Sequence, residues 1–184
     1  IQSAAEGGVY GEASWQESLD VMAYAPDGWS SYSYAGVAAR AAFTIQTYDE
    51  TLANTYRESA LQAMAYAENN YQAGNYDEGQ LHHVKDQRNL SALELYRLTG
   101  DTQWHELFLD TTIFQDPAAE ASVFGLHEQR DAAFLYARLN QAPDNQAPSN
   151  ADVQNNARAS FLRYADSLVA LTNTTAFGWS KDHP

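Results

Sequence analysis

The chain has 184 residues, enough for one substantial core, and 10 basic against 24 acidic side chains give a formal net charge of −14. No basic stripe is available to neutralise phosphates, so nucleic acid is excluded as an expected partner, and an anionic membrane surface is disfavoured. Cysteine is absent, which removes a disulfide framework, a thiolate metal site and a Cys nucleophile.

The chain opens "IQSAAEGGVYGE", with Ile rather than Met, and reads as a single partial domain over 1–184, cut from something longer. No apolar run approaches the roughly 18 residues of a membrane span. Residues 1–27 carry several Gly and little helical period, and read as an extended loop with a short strand near 21–24. Twelve Tyr and four Trp stand against seven Phe, a balance suited to surfaces that are half apolar and half wet.

Helical patterns then dominate. Ser30 or Ser31 is predicted to cap a first helix, with Tyr34, Val37, Ala38, Ala41, Ile45 and Tyr48 on its apolar face. Asp49 is predicted to cap a second, striped by Leu52, Tyr56, Ala60, Ala63 and Ala67. "NNYQAGNYDEGQ" reads as a turn-rich loop. A third helix is expected over 84–98, ending at Gly100 in the left-handed conformation. Asp101 or Thr102 is predicted to cap a short fourth helix with Trp104, Leu107 and Phe108. A fifth is expected over 127–139. After the polar loop "NQAPDNQAPSN", Ser149 with Asp152 reads as a capping box for the sixth. Its stripe is Val153, Ala157, Phe161, Tyr164, Leu168 and Leu171.

The first and third helices are apolar or small around much of their circumference, whereas the second and sixth carry one apolar stripe. Helices buried all round are interior and one-striped helices are exterior, so two concentric layers are expected. "DQRN" at 86–89 and "EQRD" at 128–131 each precede a "LYRL" or "LYARL" segment, which suggests repeated hairpins of an α-solenoid or toroid. The expected fold class is all-α, with helical hairpins forming about half of an (α/α)6 toroid.

In such a toroid the inner helices start at one rim, where free N–H groups and positive dipole ends converge. "GWS" occurs twice, at 28–30 and 178–180. Trp29 and Trp179 offer flat faces for sugar rings, and Ser31, Asp86, Arg88, Glu128 and Arg130 offer hydrogen bonds to hydroxyls. The plainer reading is that Asp27, Asp86 and Glu128 only cap helices. Asp77 with Glu78 and Glu17 with Asp20 are candidate acid pairs by residue type alone. His82 and His83, read as neighbours in an extended segment, point to opposite sides, and neither metal nor cofactor is expected.

Four segments, "GGVYGEASWQES", "APDGWSSYSYAGVAARAAF", "DQRNLSALELYRLTGDTQWHELF" and "FGWSKDHP", together resemble, in order and spacing, the middle of a glycoside hydrolase family 9 catalytic domain. The resemblance implies an (α/α)6 cellulase that hydrolyses β-1,4-glucan-like chains with inversion, in an extracellular or periplasmic location. It also implies a base Asp in an upstream Asp-Ala-Gly-Asp motif and an acid Glu downstream, after an Asn. This chain contains neither motif, so no catalytic residue is expected within it. Inversion needs two carboxyls about 6.5–9.5 Å apart with water between them, and the chain is expected to supply cleft wall to a polysaccharide or oligosaccharide partner. Two other readings stay open: a helical-repeat scaffold that binds a protein or peptide, and an (α/α)6 enzyme acting on another glycan. Self-association through the open edge of a half-toroid is a further expectation.

Overall fold

The structure, a computed structural model, describes residues 27–121, 127–139 and 149–174. The expected strand near 21–24, Glu17, Asp20 and Trp179 lie outside those residues. Among the described residues six α-helices follow in order: α1 (Gly28–Ile45), α2 (Glu50–Asn70), α3 (Glu78–Thr99), α4 (Thr102–Thr111), α5 (Arg130–Ala137) and α6 (Ala151–Thr174). Helix α3 packs between α1 and α5, while α2, α4 and α6 pack behind α1, α3 and α5 respectively. Odd helices therefore form one layer and even helices back them.

Several boundaries differ from expectation, each for a capping reason. Helix α1 is capped by Asp27, whose carboxylate accepts the Ser30 backbone N–H at 2.8 Å, so it starts before either serine. Helix α3 starts at Glu78, inside the stretch read as loop, because Asp77 and Gln80 form a reciprocal capping box. His82 and His83 consequently lie on a helix. Helix α5 is shorter than expected, and Asn150, rather than Ser149, accepts the first N–H groups of α6. Asp49, Asp101 and Gly100 cap as the sequence suggests, with Gly100 at φ 71°.

The apolar faces also need correction. On α1 the buried side chains are Tyr32, Ala35, Ala38, Ala39 and Ala42, whereas Tyr34 and Val37 are open and Val37 is 70% exposed. Small side chains let α1 seat closely on its neighbours. A Cβ added at Gly36 would stand 2.9 Å from Ser91 Oγ. On α2 the buried residues are Ala53, Ala60, Met64 and Ala67, and Leu52 and Tyr56 face outward. Helix α3 is enclosed throughout residues 91–98.

Polar links cross these seams. The Tyr32 hydroxyl donates to Glu68 at 2.7 Å, and Arg88 forks onto both Glu68 oxygens at 2.7 Å, tying α1, α2 and α3. Burial alone would raise the Glu68 carboxyl, but the bonds from Arg88 and Tyr32 outweigh it and hold it below the ordinary carboxylate value. Glu94 is fully buried and takes Arg40 of α1 at 2.6 Å and Arg97 at 2.5 Å. Further along, His105 Nε2 meets the Tyr136 hydroxyl at 2.8 Å, joining α4 to α5.

Candidate functional site

Inner-helix starts do meet. Asp27 and Trp29 from the head of α1, His83 from α3 and Glu128 just before α5 share an open hollow of about 630 Å³. Asn75 and Tyr76, from the link between α2 and α3, complete its wall together with Gln80 and Val84. Trp29 is 49% exposed, so much of its indole is available to a ligand. Gly28 has a local role: a Cβ there would lie 2.7 Å from the Tyr76 hydroxyl, so the glycine leaves room for that ring.

Tyr76 is braced from behind. It stacks on Tyr71 with centroids 6.3 Å apart, and Tyr71 in turn carries the Arg88 guanidinium at 4.7 Å. Arg88 thus faces α2 and the tyrosine stack, where Glu68 neutralises it. It supports the rim from inside the protein.

Asp86 is likewise inside, 2% exposed, in the middle of α3 rather than at its start. "DQRN" and "EQRD" are therefore not equivalent helix openings, yet they touch. Asp86 accepts the Glu128 backbone N–H at 2.6 Å, the Gln129 side-chain amide at 2.8 Å and His127 Nδ1 at 3.0 Å. Gln129 also donates to the Thr111 carbonyl at 3.1 Å and accepts the Ile113 N–H at 3.0 Å. Three elements thereby fix the approach to α5, and Glu128 projects from a clamped backbone.

The Glu128 carboxylate itself is largely solvated, 3.9 Å from His83 Nδ1. Asp27 uses both oxygens on Ser30, backbone and hydroxyl, each at 2.8 Å. Asp77 is the cap of α3. Ser31 is half-buried in the first turn of α1 and Arg130 is exposed at the start of α5. Among the described residues no group of three or more His, Cys, Asp or Glu is placed to hold a metal ion.

Asn75, Tyr76 and Gln80 escaped sequence reasoning because their stretch reads as turn-rich loop, and His83 was weighed only as a metal ligand. The signal present was Asp77-x-x-Gln80, which places Tyr76 immediately before a helix.

Neither the protein-family models nor the curated proteins searched give a match to the chain. Among solved structures, the crystal structure of a GH family 9 endoglucanase, J30, is similar at TM-score 0.60 and 22% identity. The likeness is one of fold. It makes this chain all-α, with helical hairpins forming part of an (α/α)6 toroid. The match covers 80% of this chain and 28% of that one, so the chain spans about a quarter of the length of the structure it matches.

Proposed function

We propose that this chain supplies sugar-binding cleft wall to a cellulase-like glycoside hydrolase, taking a β-1,4-glucan-like chain along the hollow. In this reading Trp29 and Tyr76 stack on sugar rings, while Asn75, Gln80 and Glu128 hydrogen-bond to hydroxyls. Arg130 and Ser31 serve outlying hydroxyls, and Trp179, outside the described residues, is a further candidate for stacking on a sugar ring. Asp86 and Arg88 act through others, the first by fixing Glu128 and the second by bracing Tyr71 behind Tyr76. The acid and base of an inverting mechanism come from outside the chain.

One observation carries the reading: Trp29 and Glu128, 99 residues apart by their numbers, open onto one hollow with Tyr76. A solvent-open cavity with aromatic planes and a few convergent polar groups is what a neutral polymer of hydroxylated rings requires. Calorimetric titration with cellohexaose tests it, together with an assay on soluble carboxymethyl cellulose. Saturable binding with no hydrolysis is expected. Absence of binding removes the reading, and robust turnover contradicts the assignment of acid and base elsewhere.

The scaffold reading draws on another surface, the exposed Tyr34, Val37, Leu52 and Tyr56 of α1 and α2. It makes no use of the hollow, so oligosaccharide binding there separates the two.

A further inference from the structure

The walls of the hollow are one-sided in charge. Among its described lining residues are two carboxylates, Asp27 and Glu128, and no lysine or arginine. Helix dipoles oppose that bias, since α1 and α3 both direct N-termini toward this end. Each terminus is worth about half a positive charge, and each is capped by a full carboxylate, Asp27 or Asp77. The caps therefore outweigh the dipoles. Glu128 stands two residues before α5, whose N-terminus sets about half a positive charge against its full carboxylate, and it pairs loosely with His83 at 3.9 Å. The surrounding chain, at −14, adds to the negative potential.

Aromatic faces reinforce the same preference. An ammonium beside a Trp or Tyr ring gains cation–π attraction that a hydroxyl does not. Trp29 and Tyr76 line the same hollow as the two carboxylates. A sugar whose ring carries an ammonium in place of one hydroxyl keeps the stacking face and every bond that hydroxyl donated, gives up the bonds it accepted, and adds a charge.

We propose that the hollow selects a cationic glycan, a β-1,4-linked chain containing unacetylated amino sugars, over the uncharged glucan of equal length. This rests on the sugar-binding reading of the same hollow and narrows its substrate class. Glu128 receives the ammonium, Asp27 contributes longer-range attraction, and Asp86 is a positioning residue that holds the Glu128 backbone.

The test is calorimetric titration of the full chain with three trisaccharides: tri-glucosamine, its fully N-acetylated form and cellotriose. Measurements are made at mildly acidic pH and low salt, where the amines are protonated. Tri-glucosamine is expected to bind about three- to ten-fold tighter than cellotriose, the scale of one or two solvent-exposed charge pairs. Acetylation removes the charge and is expected to remove the advantage. So is about 1 M NaCl, where the screening length falls to about 3 Å. Glu128→Gln is exposed and isosteric, so it folds, and it is expected to remove most of the preference. Asp27→Asn keeps a capping oxygen and is expected to reduce the preference partially. Equal binding of tri-glucosamine and cellotriose in the unaltered chain overturns this inference and leaves sugar binding standing. A preference undiminished by Glu128→Gln also overturns it. Failure of all three sugars to bind overturns both readings.

Discussion

Helices α1 and α3 lie side by side in the inner layer, yet they meet their surroundings differently. Helix α3 has neighbours on both flanks and behind, and residues 91–98 are buried without interruption. Helix α1 has α3 on one flank and α2 behind, and Tyr34 and Val37 remain open. Burial of an inner helix is thus set by its neighbours as much as by its own sequence. In α1 the buried side beyond Tyr32 is made of alanines and a glycine because two helices press closely upon it, while Tyr34 and Val37 lie on the open side.

That contrast is sharpest in core truncation. Leu93→Ala in α3 is expected to cost about 2–5 kcal/mol, because Leu93 is fully enclosed. Val37→Ala in α1 is expected to stay within about 0.5 kcal/mol, as for a surface change. Chemical denaturation of both variants checks it, and similar costs would erase the distinction. A smaller effect is expected at the seam itself. Gly36→Val drives a branched side chain against Ser91, whose Oγ is already bonded to the Tyr32 carbonyl, and is expected to cost about 1–3 kcal/mol. Denaturation midpoints read this directly, and an unchanged midpoint would mean that the helices are further apart.

The polar seams give a pH signature. Glu68 is held below its ordinary value in the fold, so its contribution is present above the unfolded carboxylate value of about 4.3 and is lost as pH falls through the folded value. Burial pushes the Tyr136 hydroxyl up to about 12, so that contribution is present below about pH 10 and is lost as pH rises toward about 12. Denaturation midpoints across pH are expected to fall at both ends, and Glu68→Gln is expected to flatten the acid limb alone. An acid limb unchanged in that variant would place the titrating carboxylates elsewhere.

Much of the fold was legible because helix signals are local. Asp49, Asp101 and Gly100 cap where their side-chain chemistry or backbone freedom suits them, and the alternation of inner and outer helices follows from patterning. The buried face of α1 was not legible: Tyr34, Val37 and Ala41 repeat at helical spacing as well as the alanines do, and only neighbouring helices choose between them. At the site, Trp29 and Glu128 were readable as helix-start residues. Asp86 and Arg88 share that local signature but sit mid-helix, because the cap at Asp77 lengthens α3. Their partners, Glu128 in one case and Glu68 with Tyr71 in the other, are remote in sequence. Tyr76 reached the hollow only through the path of the α2–α3 link.

The most direct measurement is calorimetric titration of cellohexaose into the unaltered chain and into Trp29→Ala. Trp29 is half-exposed, so the variant is expected to keep its thermal stability while affinity falls about five-fold or more, as loss of a stacking ring costs about 1 kcal/mol. Affinity that is unchanged without the indole, in a folded variant, would contradict a sugar-binding rim at the head of α1.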